Sequence, residues 1–342
     1  MLKVDEILEN LVSFNTIKDK ENKKILDYIE NTLKQVGFKT EKRDKFLIMS
    51  NKEKSSIGFL GHTDTVEFTE GWQYEKFKLT KESDKIYGLG VCDMKAGIAA
   101  IISAVSQIDF KSLDKGIKLY FTYDEEISFK GIKELKKYEN NFPDTVIIGE
   151  PTNNEIIIGS KGLMEYKISF KGIKTHSSTP ERGKSAIMSA IVFINELNEF
   201  YQNEIKVNQN KNFEIPYTTM NIGKIYGGSA INSVPVSCKF LVDFRTVDKK
   251  DEEKIESKIR YLQEKYQAEV NRLNKLSPFF NVSKLSSKTC NFITEASFLE
   301  NNRIILGAGP ITAHQVNEYI EEKSLYKLVN QYKELIEEYC KK

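Results

Sequence analysis

Hydrophobic positions along the first half of the chain predict alternating helices and strands. Apolar residues at helical spacing mark an N-terminal helix and a second one at residues 25–36, which Gly37 follows at a common stop position. Further helical stretches cover residues 96–108 and 129–138. Short branched and aromatic runs predict buried strands at residues 46–49, 57–60, 119–123 and 146–148. This alternation predicts an α/β fold with a mostly parallel sheet and helices on both faces.

The middle of the chain follows a different order. Alternation over residues 164–170 indicates a half-exposed strand. A helix at 184–201, strands near 218–225 and 236–244, and a charged helix at 249–266 follow. The order β-α-β-β-α is typical of a small α+β sandwich of the ferredoxin-like type. We therefore expect this domain at residues 161–273, inserted into a larger domain formed by residues 1–160 and 274–342.

Composition narrows the functional classes. A length of 342 residues fits about two domains, and 40% hydrophobic with 29% charged residues is typical of a globular chain. A net charge of +2 gives no reason to expect a nucleic-acid partner. No apolar run reaches the roughly 20 residues of a membrane helix, and no secretory signal opens the chain. Four scattered cysteines without a CxxC pair favour a reduced, cytoplasmic protein.

Two candidate metal ligands stand beside predicted strands and glycine turns. His62 directly follows the strand at 57–60, and Asp64, two residues on, points to the same side of an extended chain. A carboxylate there can fix the tautomer of a metal-bound imidazole. Asp93 lies between Gly90 and a predicted helix, as either a helix cap or a bridging metal ligand.

Acidic residues follow two further strands. Asp124, Glu125 and Glu126 come after the strand at 119–123, where three adjacent acids repel one another unless a cation lies among them. They also fit a solvated helix start. A metal ion would leave one carboxylate as ligand and a neighbour as general base. Glu150 follows the strand at 146–148, and His314 follows a glycine-rich turn after a strand at 304–306.

The combined inventory of two histidines and three carboxylates suits a borderline divalent ion. Zn²⁺ is the expected metal, and Co²⁺ or Mn²⁺ also fits. A structural zinc finger would use cysteines instead. Because each candidate lies at or beyond a predicted strand end, we expect the five side chains to share one pocket.

These segments resemble a family of dinuclear-zinc metallohydrolases. The family contains carboxypeptidases, aminoacylases, succinyl-diaminopimelate desuccinylase and acetylornithine deacetylase, and the likeness is greatest to the deacetylase group. The matching blocks span nearly the whole chain, at residues 61–65, 87–97, 124–126, 149–152, 172–180, 227–245 and 313–320.

The resemblance implies a role for each matching residue. One metal ion would be held by His62, Asp93 and Glu150, and the other by Asp93, Glu126 and His314, so that Asp93 bridges. Asp64 would orient His62, and Glu125 would be the general base. The inserted domain would act as a lid and dimerisation domain, from which His176 reaches the active site of a partner subunit to stabilise the oxyanion. Arg245 and Asn232 would contact the substrate, although a surface ion pair is an alternative role for Arg245.

The implied activity is removal of the N-acyl group from an amino acid by a homodimer. Hydrolysis of N-acetylornithine to ornithine and acetate is the leading expectation. Desuccinylation of N-succinyl-diaminopimelate, deacylation of an acyl-lysine, and cleavage of dipeptides are alternatives within the family. A non-catalytic metal-binding protein is disfavoured because Glu125 is retained. A dinucleotide-binding enzyme is disfavoured because no GxGxxG motif stands at a strand–helix turn.

Overall fold

The computed structural model of the chain describes residues 2–18, 20–281, 285–286 and 288–341, in two compact units. Unit 1 comprises Met1–Ile158, Asn281–Ser287 and Thr294–Lys342, and unit 2 comprises Gly159–Phe280 and Lys288–Ile293. Unit 2 thus begins before the expected residue 161 and continues beyond the expected residue 273.

In the described residues, single helices or pairs of helices are separated by one to five strands. The helices are α1 (Val4–Ser13), α2 (Asn22–Gln35), α3 (Ala96–Ser106), α4 (Glu125–Ser128), α5 (Lys130–Tyr138), α6 (Ala186–Phe200), α7 (Lys249–Tyr266) and α8 (Glu322–Cys340). The strands are β1 (Lys39–Lys42), β2 (Phe46–Ser50), β3 (Ser55–His62), β4 (Thr80–Glu82), β5 (Lys85–Tyr87), β6 (Gly116–Thr122), β7 (Thr145–Ile148), β8 (Ile157–Ser160), β9 (Leu163–Lys171), β10 (Thr219–Gly227), β11 (Ser237–Arg245), β12 (Glu269–Leu276), β13 (Phe279–Phe280), β14 (Lys288–Cys290), β15 (Asn302–Ile305) and β16 (Tyr319–Glu321). None of the described helices has the length and apolarity needed to cross a bilayer.

Parallel strands form the centre of the sheet in unit 1. The strand order is β1-β2-β6-β3-β7-β15-β8, and the neighbours from β6 to β15 run parallel. The flanking pairs β1–β2, β2–β6 and β15–β8 are antiparallel. The predicted α/β fold is therefore confirmed, but the sheet is mixed: the predicted parallel strands lie at its centre and antiparallel strands flank them.

The core of unit 1 explains why the sequences of its central strands are continuous runs of apolar residues. Leu119 and Phe121 of β6 point into a cluster formed with α1, α2, α3 and α8. Tyr120, between them, packs on the opposite face against Phe142, with ring centroids 5.0 Å apart. Helix α5 packs against β2 and β6. Because both faces of these strands are buried, no polar alternation appears in their sequence.

Unit 2 is an antiparallel sheet covered by two helices. Its main sheet has the order β10-β11-β9-β12. The alternating residues Met164, Tyr166, Ile168 and Phe170 all enter the core beneath α6 and α7, as their spacing predicts. Strand β12 was missed because it lies at an edge and its residues are mostly polar and exposed or half-buried. With β12 the order becomes β-α-β-β-α-β, which completes the ferredoxin-like pattern.

Candidate metal centre

The five candidate metal ligands converge in unit 1. His62 is the last residue of β3, and Glu150 follows β7 by two residues. Glu126 lies in α4, just after β6. Because β6, β3 and β7 are parallel neighbours, their carboxyl ends meet at one edge of the sheet. Asp93 and His314 are added by the loops before α3 and after β15.

Asp93 lies between the two histidines. Its Oδ1 is 3.1 Å from Nε2 of His62, and its Oδ2 is 3.4 Å from Nε2 of His314. Glu150 reaches His62 from another side, with Oε1 3.6 Å from Nε2. The two carboxylate oxygens of Asp93 therefore face different histidines, as the position of a shared ligand requires.

Two groups of three ligand atoms share Asp93. The first is His62, Asp93 and Glu150, and the second is Asp93, Glu126 and His314. Within each group the donor atoms lie within 4.8 Å of one another. In the second group, Glu126 Oε2 is 3.2 Å from His314 Nε2. This is the pair of ligand sets that the sequence resemblance implies.

Glu125 lies beside these ligands without belonging to either set. It forms a further compatible group with His62 and Glu126. The carboxylate of its neighbour Asp124 instead accepts a hydrogen bond from the hydroxyl of Ser128. The three consecutive acids thus have different environments, which their sequence alone does not distinguish.

Asp64 supports two parts of the centre at once. Nδ1 of His62 lies 3.1 Å from the backbone carbonyl of Asp64 and 3.5 Å from its carboxylate. The same carboxylate accepts the backbone N–H groups of Glu125 and Glu126, at 3.2 and 3.1 Å. The carboxylate therefore fixes the start of α4 in addition to its predicted contact with His62.

The buried carboxyl groups of the centre outnumber the positively charged groups described beside them. Burial raises the pKa of Glu125 and of Glu150 well above the usual value, and it also raises the pKa of Glu126. Neighbouring carboxylates add to each shift, and His62 opposes it. The cationic partners described for these acids are the imidazoles of His62 and His314.

The pKa values of both histidines are raised as well, because carboxylates surround their rings. Burial opposes a charged ring at His62, but hydrogen bonds to Asp64 and Asp93 raise its pKa well above the usual value. Contacts with Asp93 and Glu126 raise the pKa of His314 to about 10. Although burial favours the neutral acid, both imidazoles lower the pKa of Asp93.

The residues present fit a pair of divalent cations. Imidazole nitrogens and carboxylate oxygens are the donors that zinc, cobalt and manganese accept. Divalent cations bound at the two ligand sets would also balance the charge of carboxylates that burial otherwise forces toward their neutral form. The types of donor atom, their convergence and the excess of negative charge therefore all favour a site for two divalent cations.

Three predicted functional residues belong to unit 2. His176 is exposed and forms an isolated bridge with Ser233, and Asn232 accepts the N–H of Ser177 at 3.1 Å. The segments that carry His176 and Asn232 are therefore neighbours. Arg245 ends β11, and its Nε lies 3.1 Å from Oδ1 of Asp243. Its surface ion pair, the alternative given above, is thus present.

Sequence reasoning missed two buried acids near the ligands. Glu318 is 2% exposed and binds the loop that contains Asp93, while Glu295 is fully buried and accepts the hydroxyl of Thr122 at 2.6 Å. Glu295 follows no motif or periodic pattern that marks it. Glu318 stands four residues after His314 within the matching block at residues 313–320, and that block assigned it no role.

Comparison with known proteins gives the same family at the level of sequence. Residues 158–271 match the family described as the peptidase dimerisation domain of M20 proteins. An acetylornithine deacetylase from Pasteurella multocida is 32% identical, with 94% of this chain and 92% of the relative aligned. An acetylornithine deacetylase from Buchnera aphidicola is 31% identical, covering 97% of this chain and 95% of the relative.

Solved structures share the fold across nearly the whole chain. The aminopeptidase PepT from Bacillus cereus has a TM-score of 0.81 at 19% identity, covering 98% of this chain and 97% of its own. An M20 family metallo-carboxypeptidase from Sulfolobus solfataricus has a TM-score of 0.79 at 18% identity, with 99% of both chains covered. At these identities the likeness shows the fold alone.

Proposed function

The chain belongs to the M20 metallopeptidase family. We propose that this hydrolase removes the acyl group from the α-nitrogen of an amino acid. N-acetylornithine is the proposed substrate, with ornithine and acetate as products. The observation that supports a hydrolytic centre most directly is the sharing of Asp93 between two ligand sets. The likeness to acetylornithine deacetylases over most of both chains supports the choice of substrate.

We assign His62, Asp93 and Glu150 to one divalent cation, and Asp93, Glu126 and His314 to the other. Zinc is the proposed metal. When bound, the cations would supply the charge that makes water acidic near neutral pH and that polarises the acyl carbonyl.

Glu125 is proposed as the residue that moves the proton. Its carboxylate would accept a proton from the attacking water and then deliver that proton to the nitrogen of the leaving amine. Its position supports this role: it lies beside both ligand sets, and Asp64 holds its backbone at 3.2 Å. The proton balance closes, because the water supplies one hydrogen to the amine and the hydroxyl to the new acetate.

Residues of unit 2 would bind the substrate and the developing oxyanion. By its matching sequence block, His176 is proposed to donate a hydrogen bond to the oxyanion, a contribution of about 3–4 kcal/mol for one donor. Arg245 is proposed to bind the α-carboxylate, exchanging its contact with Asp243 for the substrate. Asn232 would contact the substrate from the segment beside His176.

A homodimer formed through unit 2 is part of the proposal. Strand β10 lies at an edge of its sheet, and its Ile225 and Tyr226 are 55% and 51% exposed. Ile231, in the following loop, is fully exposed, and the matched family is a dimerisation domain. A second copy of the chain would cover these apolar side chains and pair with the free strand edge.

The central experiment measures metal content and turnover together. We expect two divalent ions per chain and hydrolysis of N-acetylornithine in preference to N-succinyl-diaminopimelate, acyl-lysine and dipeptides. Preference for one of those other amides would replace the proposed substrate but keep the chemistry. Failure to bind divalent metal would contradict the proposed centre itself.

The dimer is tested separately by sedimentation. The chain should sediment as a dimer, and Ile225→Lys should shift it toward the monomer because a charge is placed on the edge strand. If His176 acts across the dimer, mixing the His176→Ala and Glu125→Gln chains should restore activity that neither has alone. A mixture without activity would mean that His176 does not act in the active site of the partner subunit. It would then act within its own subunit or have no part in catalysis.

A further inference from the structure

The carboxylate of Glu318 accepts hydrogen bonds from the backbone of the loop that contains Asp93. Its Oε2 accepts the N–H of Gly90 at 2.9 Å, and its Oε1 accepts the N–H groups of Cys92 and Asp93 at 2.7 and 3.0 Å. The side chain is almost fully buried. The bonds from Gly90 and Cys92 are buried and the bond from Asp93 is partly buried, so three N–H groups depend on one carboxylate, whose charge strengthens each bond.

The loop needs such a partner because of its conformation. Gly90 has a φ of 73°, and a Cβ added there would lie 2.3 Å from Cγ2 of Thr65. This left-handed turn directs the following N–H groups toward the carboxylate rather than into a helix. The hydrogen bond to the N–H of Asp93 therefore fixes the backbone of the residue whose two carboxylate oxygens face His62 and His314.

Glu318 also connects this loop to the segment that carries His314. Its backbone carbonyl accepts the N–H of Gly88 at 3.2 Å, and Sγ of Cys92 accepts the N–H of Thr312 at 3.4 Å. The two segments are thus joined both at Glu318 and at Thr312. Loss of the carboxylate would remove a hydrogen bond to the backbone of Asp93. It would affect His314 only indirectly, through the backbone of the segment that carries both Glu318 and His314.

We propose that Glu318 is a positioning residue that holds Asp93 as the ligand shared by both metal ions. This inference rests on the proposed assignment of Asp93 to both ligand sets. Because Asp93 belongs to each set, loss of the Glu318 carboxylate should weaken the binding of both ions. Loss of His314, which belongs to one set, should weaken one ion much more than the other.

The test compares Glu318→Gln with Glu321→Gln, a half-buried acid of the same segment that pairs with exposed Lys323 and makes no contact with the loop of Asp93 among the described hydrogen bonds. In glutamine one acceptor oxygen becomes an NH₂ group, which cannot accept an N–H. Zn²⁺ affinity is measured at pH 8 by competition with a chromophoric chelator on the full chain after metal removal.

We expect Glu318→Gln to weaken both binding steps by about 10- to 100-fold, with Glu321→Gln unchanged. The Co²⁺ absorption spectrum should change at both sites. Normal affinity at both steps, or loss at one step only, would overturn the inference. If Glu318→Gln does not give the native circular dichroism spectrum, Glu318→Asp replaces it. We then expect a smaller loss of Zn²⁺ affinity at both binding steps, and normal affinity at both steps or a loss at one step only would again overturn the inference.

The outcome is separable from that of the proposed function. A wild-type chain that binds no Zn²⁺ contradicts the proposed centre. A wild-type chain that binds two ions, with Glu318→Gln indistinguishable from it, contradicts only the role of Glu318.

Discussion

Nδ1 of His176 accepts a hydrogen bond from the backbone N–H of Ser178 at 3.2 Å and lies 2.8 Å from the hydroxyl oxygen of the same residue. A ring nitrogen that accepts an N–H carries no proton in the neutral imidazole. The proton of the neutral ring therefore belongs on Nε2, on the exposed side chain. This tautomer is the one that can donate a hydrogen bond outward to an oxyanion.

Ser178→Ala should lower kcat and leave KM nearly unchanged. The backbone N–H remains, but the hydroxyl contact that helps to hold the ring is lost, which corresponds to about a 3- to 10-fold decrease. Steady-state kinetics gives the split between kcat and KM, and ¹⁵N NMR reports the ring tautomer. Ser177→Ala is the matched control, because it removes an exposed hydroxyl next to His176 and keeps the backbone N–H that binds the carbonyl of Asn232. An unchanged kcat in Ser178→Ala would show that the hydroxyl does not hold His176 in catalysis.

Glu125→Gln should abolish most turnover while the chain still binds two metal ions. The amide keeps the size of the side chain but cannot take up the proton of water, so kcat should fall by about 10²- to 10⁴-fold. Metal content by elemental analysis and kcat by product assay are measured on the same sample. Glu126→Gln is the contrasting variant, since it should lose metal as well. Full activity in Glu125→Gln would reject the general-base role.

Asp64→Asn should impair metal binding and turnover together. Its carboxylate accepts two backbone N–H groups of α4 at 3.2 and 3.1 Å, and the amide can accept at only one of its two positions. The start of α4 and the ring of His62 would both lose a fixed partner, which predicts about a 10- to 100-fold loss in kcat/KM and in metal affinity. Exposed Asp44→Asn serves as the control. Equal metal affinity in the two variants would disprove the supporting role of Asp64.

Glu295 should make the stability of the chain fall as pH rises. Burial raises the pKa of Glu295 to about 7 from its usual 4.5, so between these values the folded chain binds more protons than the unfolded chain. The contribution of Glu295 to the free energy of unfolding is therefore complete below its pKa in the unfolded chain. It is lost as the pH rises through its pKa in the folded chain. No described residue donates a hydrogen bond to Oε2, which leaves the charged form poorly compensated.

Glu295→Gln removes this titration and keeps an acceptor for Thr122. Relative to wild type, the variant should gain about 2–3 kcal/mol of unfolding free energy between roughly pH 5 and pH 8. Urea unfolding of both chains in the presence of chelator measures the difference. A constant difference across that range would mean that Glu295 does not titrate in the folded chain.

Strong apolar patterns predicted their elements well. Helix α7 has the predicted bounds, and the predicted strands at 57–60 and 146–148 lie within β3 and β7. Strands β1 and β12 were missed because their residues are largely polar, so pairing with neighbouring strands, not side-chain pattern, defines them. Tertiary contacts decide the structure of such weakly patterned segments.

The sequence by itself determined the fold class, the family and the ligand types, because burial periodicity and short motifs are local properties of the chain. Only the tertiary structure decided which oxygen of Asp93 faces each histidine, that Asp64 holds the start of α4, and that Glu318 binds the loop before α3. These relations join residues that lie far apart in sequence, and their geometry follows from the packing of parallel strands and the turns between them. No spacing along a single segment encodes such contacts.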